Sequence, residues 1–336
     1  MIPKIFKGAI GLAALGAGAL TIGAVALGNR RIDRWETLTP NDADDGDFVT
    51  LSDGARMHYL ARGGQPSAVG GQQPALSHAL SRVEGEVEGS AVVLIHGLMG
   101  SADEWAKNMD ALAQERRVWA IDLIGFGFSS RLTEPTYSLK YFARSVCEFL
   151  DAQGAARASI VGHSLGGAIT LQFAHDYPAR VDKLILVDAA AYLQIPAALN
   201  LAARVPCVPR ALVGLAMTSP RARTLAWRNA FGSPKHLDAR ETHALVRAAR
   251  VQGTADAMVA MMASRRASDL PHGLKKIAAP TLILWGDKDR AVPLRHGKRL
   301  ARDLPHAELV IVEGAGHVPH IEFPETVNRL MNEFLG

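Results

Sequence analysis

A tight turn with a serine at its apex, Gly162-His163-Ser164-Leu165-Gly166, constrains this 336-residue chain more than any other feature. It follows the apolar run Ala158-Ser159-Ile160-Val161 and leads into a helix-competent stretch, Ala168 to Tyr177. The order is strand, sharp turn, helix. Glycine at both ends leaves room where a Cβ would clash, so the Ser164 hydroxyl can stand above a sheet. A serine hydroxyl is a poor nucleophile near neutral pH. It needs a base, and the base needs an orienting acid. An incidental glycine-serine turn would place no such demand on the rest of the chain.

Both partners are available downstream. Thr281-Leu282-Ile283-Leu284 reads as a buried strand, and Trp285-Gly286-Asp287-Lys288-Asp289 follows it with two aspartates. Leu309-Val310-Ile311-Val312 reads as another, followed by Glu313-Gly314-Ala315-Gly316-His317. Catalytic groups commonly sit on loops held by a rigid scaffold. The chain has twelve histidines, so position must decide among them. His317 lies in a glycine-rich loop after the last strand; His320, three residues on, reads as structural. His163 is expected to turn away from the serine and to pack. Upstream, Ala91-Val92-Val93-Leu94-Ile95 runs into His96-Gly97-Leu98-Met99-Gly100, where backbone N–H groups can face a developing negative charge. His96, Asp122, Gly125 and Gly127 read as loop-shaping residues.

These segments, together with Val118-Trp119-Ala120-Ile121-Asp122-Leu123-Ile124-Gly125-Phe126-Gly127-Phe128-Ser129-Ser130, resemble the cap-bearing α/β-hydrolases. That family includes serine esterases, lipases, carbon–carbon bond hydrolases and haloperoxidase-like enzymes. Four motifs stand in the family's order, each after a strand. The resemblance runs from about Phe48 to the C-terminus. It implies an α/β fold: a mostly parallel, doubly wound sheet with an inserted helical cap. It also implies Ser164 as nucleophile, His317 as general base and an acid in the loop after Thr281–Leu284. The family pattern Gly-x-x-Asp, with Val292-Pro293 behind it, selects Asp289 over Asp287. Asp188, after the preceding sheet strand, stays a third candidate, because some relatives place the acid there. The oxyanion donors implied are the N–H groups of Leu165 and of Leu98, with Met99 second. A serine at this position excludes the aspartate-nucleophile chemistry of haloalkane dehalogenases and epoxide hydrolases of the same fold.

Buried parallel strands are expected at Ala91–Ile95, Val118–Ile121, Ser159–Val161, Leu184–Val187, Thr281–Leu284 and Leu309–Val312, all apolar runs. Phe48 to Leu51 and Arg56 to Ala61 read as a hairpin turning at Ser52-Asp53-Gly54. Gly63 to Ser90, rich in Gly, Gln, Ser and Glu, reads as a long surface loop. Between Tyr192 and Lys276 helical signals replace the alternation, broken at Pro206, Pro209, Pro220, Gly232-Ser233-Pro234, Gly253 and Pro271. Four or five cap helices are expected there. Phe231-Gly232-Ser233-Pro234 before a helix from Asp238 resembles the family's cap pattern.

The first residues are of another kind. Gly8 to Gly28 carries no charge and is mostly Ala, Gly, Leu, Ile and Val, long enough to span a bilayer. An uncleaved anchor over residues 1–34, followed by a hydrolase domain over 35–336, is the expected organisation. A cleaved signal peptide ending near Ala24-Val25-Ala26 is the alternative. Lys4 and Lys7 before it and Arg30, Arg31 and Arg34 after it give no preferred orientation. The acidic patch Asn41 to Asp47 is expected to be a solvated linker. Cys147 and Cys207 do not make a disulfide framework.

The cap segment holds thirteen Arg and Lys against four Asp and Glu, in a chain whose net charge is only +4. A solvated helical surface explains this; so does a face turned to anionic lipid, with Arg221, Arg223 and Arg228 exposed to it. Leu199, Leu212, Leu215, Met217, Leu225, Trp227, Met258, Val259, Met261 and Met262 are expected to give an apolar, adaptable pocket or to pack the cap. No metal motif, phosphate-binding loop or nucleic-acid signature occurs, so no cofactor is expected. The expected activity is hydrolysis of small apolar carboxylic esters at a membrane. Cleavage of carbon–carbon bonds in dienoate ring-fission products is the alternative, then perhydrolysis, then an inactive binding protein.

Overall fold

A computed structural model describes residues 25–63, 91–132, 137–192, 208–233, 235, 243, 246–264 and 273–336. Six apolar runs form the parallel part of one eight-stranded sheet: β3 Ala91–Ile95, β4 Arg117–Ile121, β5 Ala158–His163, β6 Val181–Val187, β7 Thr281–Gly286 and β8 Ala307–Val312. Every residue of β3, β5 and β7 is buried. Such runs suit strands covered by helices on both faces. β8 is half-exposed along its length, as its edge position allows. A hairpin, β1 Asp47–Thr50 and β2 Arg56–Arg62, adds the two antiparallel strands, giving the order β1-β2-β4-β3-β5-β6-β7-β8.

The order places β3 between β4 and β5, so the chain winds one way from β3 and the other way from β5. Such a reversal opens a crevice at the carboxyl ends of the strands. Register sharpens it: Ile95 pairs with Gly162, His163 with Val187, Val187 with Leu284 and Gly286 with Val312. The loops after five strands therefore leave the sheet at one edge.

Helices cover both faces. α2 (Leu139–Ala152) starts at Ser138, whose Oγ accepts the Tyr141 N–H at 3.2 Å. It packs beside α3 (Leu165–Asp176), which is buried from Leu165 to Ala174. Towards the C-terminus come α7 (Arg295–Asp303), the single turn α8 (Pro319–Glu322) and α9 (Pro324–Leu335). α9 buries Val327, Met331 and Leu335 against Val92, Leu94, Val118 and Val161 on the face opposite α3.

Between β6 and β7 the described residues form α4 (Val208–Thr218), α5 (Pro220–Ala230) and α6 (Thr254–Ser264). The helix expected from Asp238 and the side chains of Leu199 and Trp227 lie outside the described residues. Two expected pocket residues face outward instead: Leu212 and Leu225 are 57% and 61% exposed. Both sit on the outer sides of α4 and α5, whose inner sides are taken by other contacts. Met261 is buried and Met258 half-buried against the sheet core.

Residues 25–35 form a helix, α1, that docks on the cap. Gly28 lies so close to α4 that a Cβ there would come within 2.6 Å of the Ala211 carbonyl. Ile32 is fully buried with Met217 and Ala255. Arg210 bridges Asp33 of α1 and Asp256 of α6, both at 2.8 Å. Glu36 accepts the Gly253 and Ala255 N–H groups, at 2.9 and 2.7 Å, at the start of α6. The last ten residues of the segment assigned above to the anchor thus pack on the cap. Residues 1–24 lie outside the described residues, and among the described residues no helix is long and apolar enough to cross a membrane. Most of the expected Gly63–Ser90 loop, 64–90, also lies outside them.

The acidic patch is solvated, exposed at every residue but Ala43, and is tied down at two points. Asp44 pairs with Arg247 at 2.8 Å, and the Asp45 carbonyl accepts from His58 Nε2 at 2.8 Å. The first contact joins the patch to the cap and the second joins it to β2.

Candidate active site

Ser164 joins β5 to α3 with φ +50° and ψ −110°, a left-handed backbone that a side chain rarely adopts. The surroundings hold it there. Its N–H donates to the Val187 carbonyl at 2.9 Å, and its carbonyl accepts the Ala190 N–H at 2.8 Å. The flanking glycines are required by contact: a Cβ on Gly162 would overlap Thr170 Oγ1, and one on Gly166 would overlap the Ile95 carbonyl.

The structure brings Ser164, His317 and Asp289 together from the loops after β5, β8 and β7. Ser164 Oγ lies 2.9 Å from His317 Nε2, and His317 Nδ1 lies 2.7 Å from Asp289 Oδ2. The carboxylate accepts a hydrogen bond from Nδ1–H, which leaves Nε2 free to accept from the serine. Asp289 is fixed in turn, its Oδ1 accepting the Ala291 and Val292 N–H groups at 2.7 and 2.9 Å. Burial pushes the His317 imidazole below its ordinary pKa, more than the Asp289 carboxylate raises it. Burial acts upward on Asp289, but the hydrogen bond and charge of His317 outweigh it and hold the carboxyl below its usual range.

The other candidate acids lie elsewhere. Asp287 accepts the Gly314 N–H at 2.6 Å and pairs with Lys288 at 2.9 Å, joining the loops after β7 and β8. Asp188 is fully buried behind Asp289 and makes no hydrogen bond to His317. Leu165 opens α3, where a helix leaves its first N–H groups without intrahelical partners. Among the described residues neither the Leu98 nor the Leu165 N–H has a partner. Ile95, which precedes the His96–Met99 loop, pairs with Gly162 in the strand that leads to Ser164. The next N–H groups are engaged: Gly97 donates to Glu104 and Gly100 to the Gly97 carbonyl. Met99, like Ser164, has positive φ, at +62°. His96 shapes this loop, with Nδ1 2.6 Å from the Gly97 carbonyl and Nε2 accepting the Leu123 N–H at 3.0 Å.

His163 packs against the His317 and His320 rings and makes no hydrogen bond to the Ser164 hydroxyl, but it also bonds the groups around it. Its Nδ1 meets Glu104 Oε1 at 2.7 Å and its Nε2 meets the His317 carbonyl at 2.7 Å. A carboxylate and a carbonyl on the two ring nitrogens favour a ring protonated at both. Burial disfavours that charge, but Glu104 overcomes it and raises the His163 pKa; His163 in turn holds Glu104 well below the carboxylate range against its own burial. The His163 and His317 rings stand 4.8 Å apart. Positive charge on His163 thus sits beside the His317 ring, and the His163–Glu104 pair ties the His96–Met99 loop, the serine turn and the His317 loop together. Glu104 has no signal in sequence: it lies in a polar stretch 59 residues before His163. His320 packs against Trp105 with ring centroids 4.4 Å apart, and burial pushes its pKa down to about 4.

Glu322 completes the frame. It accepts the Gly316 N–H at 2.6 Å and the Gly232 N–H at 2.9 Å, so the histidine loop and the end of the cap share one carboxylate. Among the described residues two sets of donors lie close enough to hold an ion, Glu104/His163/His320 and Asp188/Asp289/His317. In both, most of the donor atoms already bond one another.

Residues 90–324 match the family model for the alpha/beta hydrolase fold. The chain is 33% identical over 258 residues to the RutD protein of Variovorax paradoxus, covering 75% of this chain and 94% of that one. It is 30% identical over 258 residues to a 2-hydroxy-6-oxononadienedioate/2-hydroxy-6-oxononatrienedioate hydrolase of Burkholderia vietnamiensis, covering 73% and 86%. Among solved structures it is similar to a bacterial membrane phospholipase A, with a TM-score of 0.67 and 25% identity over 99% of this chain and 97% of that one. With the eight-stranded sheet and the turn at its crevice, these similarities make the chain a hydrolase that belongs to the α/β-hydrolase fold family.

Proposed function

We propose that this hydrolase cleaves carboxylic esters with apolar acyl or alcohol groups by way of an acyl-enzyme. The observation that carries the reading is the unbroken chain from Ser164 Oγ through His317 to Asp289, at 2.9 and 2.7 Å. His317 Nε2 takes the serine proton as Oγ attacks the ester carbonyl. The Leu98 and Leu165 N–H groups receive the resulting oxyanion. His317 returns the proton to the leaving alcohol, then activates water to release the acid. Asp289 keeps the imidazole in the tautomer that this cycle needs.

The place of work is the membrane surface, with residues 1–24 as the anchor. The uncharged run from Gly8 and the basic cap support this. So does the likeness to a protein described as a membrane phospholipase A, matched over nearly the whole of both chains. The likeness to the 2-hydroxy-6-oxononadienedioate/2-hydroxy-6-oxononatrienedioate hydrolase of Burkholderia vietnamiensis supports the alternative, cleavage of dienoate ring-fission products.

The test uses the purified full-length chain and Ser164→Ala, assayed with a fluorophosphonate probe, nitrophenyl esters of graded chain length and a dienoate ring-fission product. Labelling of the wild type only, with ester turnover falling about 10³-fold or more in the variant, is expected. An unlabelled wild type, or turnover of the dienoate alone, would overturn the ester reading.

A further inference from the structure

Asp188 follows β6 directly, in a conformation that a residue with a side chain seldom takes. Its φ is +44°, and it is completely buried. The Gly286 N–H donates to its Oδ1 at 3.1 Å. Its Oδ2 is shielded from solvent and meets no N–H or O–H donor among the described residues. What stands beside it is another carboxyl: Asp188, Asp289 and His317 present polar atoms within 4.8 Å of one another. Asp289 already accepts three hydrogens, from His317, Ala291 and Val292, which fixes it as the anion. Two buried carboxylates cannot both be charged at this range. One must hold a proton, and of the two only Asp188 has an oxygen that meets no donor among the described residues.

From this geometry we infer that Asp188 is a protonated carboxylic acid whose O–H donates to Asp289, making it a positioning residue for the triad acid. The chain of bonds then runs Asp188, Asp289, His317, Ser164. Asp289 gains a fourth donor and one orientation. Burial and the Asp289 charge, with Glu322 adding to them, drive the Asp188 pKa well up, while the hydrogen bond to the Asp188 side chain helps to lower that of Asp289. The groups facing the pair are His317 from the loop after β8 and Glu322 from α8. The inference rests on the triad reading for its catalytic consequence, but not for its protonation state.

The two parts are tested separately, with Asp188→Asn and Asp188→Ala in the full-length chain. An asparagine keeps the donor and the neutral charge. Unfolding is followed from pH 4.5 to 8. The unfolded wild type ionises Asp188 in the ordinary carboxylate range while the folded state holds the proton. Wild-type stability should therefore fall relative to Asp188→Asn as pH rises, by up to about tenfold in the unfolding constant per pH unit. A gap that does not grow with pH would mean an ionised Asp188 and would overturn the inference. Should neither variant fold, the infrared carbonyl band of a protonated carboxyl at neutral pH is read in the wild type; its absence is equally decisive against it. For positioning, kcat of Asp188→Asn should stay within about threefold of wild type, and that of Asp188→Ala should fall about 10-fold or more with little change in KM. Equal activity of Asp188→Ala and wild type would remove the positioning role. A wild type that no fluorophosphonate labels would instead strike at the proposed function, leaving the pH dependence of stability to stand or fall alone.

Discussion

At the scale of single residues, charge decides more than contact does. His163 is buried, its protonated form is favoured by Glu104, and it lies against the ring of His317, the base in the proposed mechanism. Removing one partner of a buried ion pair leaves the other uncompensated, which costs about 3–5 kcal/mol. The pH dependence has a definite sign. The His163 pKa is raised in the fold, so its contribution is full below the ordinary histidine value and fades as pH rises through the raised one. Glu104 is lowered, so its contribution is present above the ordinary carboxylate value and fades only in strong acid. Glu104→Gln should therefore lose most stability in mildly acidic solution and less as pH rises past neutrality; thermal melts across that range check this. His317 shows the opposite displacement. Its pKa is lowered chiefly by burial, so the acid limb of kcat/KM should fall below about 6.5, the ordinary histidine value. A limb above that value would mean that the Asp289 carboxylate outweighs both the burial and the neighbouring cation.

At the scale of elements, the cap is not held by the hydrolase body alone. α1 supplies Ile32 to its core, and Glu36 satisfies two N–H groups at the start of α6. Burial raises the Glu36 pKa against those bonds, so this carboxylate is placed there at a cost. Glu36→Ala should expose the first turn of α6, lowering the protection of the Gly253 and Ala255 amides in hydrogen exchange by about 1–2 kcal/mol while leaving β3 and β5 unchanged. Uniform loss across the sheet would mean that α1 supports the whole fold instead. This is also the scale at which sequence becomes hard to read. The parallel strands are legible because they are buried on both faces and end at glycine-rich loops. The meeting of Ser164, Asp289 and His317 is legible because each follows such a strand. Glu104 and the docking of α1 leave no such trace. Glu104 reaches His163 across 59 residues of chain, and α1 meets the cap through Gly28 against Ala211, a close approach that a run of small apolar residues does not distinguish from packing in lipid. Leu212 and Leu225 fail for a related reason: an apolar residue on a helix declares a face but not which neighbour, if any, covers it.

At the scale of the whole molecule, α1 sets where the cap stands relative to whatever precedes it. The apolar run reaches Gly28, and Gly28 is already in contact with α4. An anchor of residues 1–24 would therefore hold the cap, rather than the far side of the sheet, close to the bilayer. The charge balance of the cap reads differently once its pairs are known. Arg210 and Arg247 are spent on Asp33, Asp256 and Asp44, and Arg223 and Arg250 lie over the Trp35 ring at 4.7 and 5.7 Å. These cations fasten the cap to the N-terminal segment. Arg221 and Arg228 on α5 are exposed and make no ion pair among the described residues, and Leu225 between them is exposed as well. An arginine near an anionic bilayer contributes about 1 kcal/mol, or roughly fivefold in binding. Flotation with vesicles of mixed zwitterionic and anionic lipid separates the contributions. Deleting residues 1–24 should abolish salt-resistant association, and the pair Arg221→Gln with Arg228→Gln should weaken the remaining, salt-sensitive part by about tenfold or more. Arg223→Gln should act instead on stability, because its partner is Trp35 and not lipid. Binding that is unchanged by the α5 pair but lost with Arg223→Gln would place the lipid-facing surface elsewhere on the cap, and would leave α5 an ordinary solvated helix.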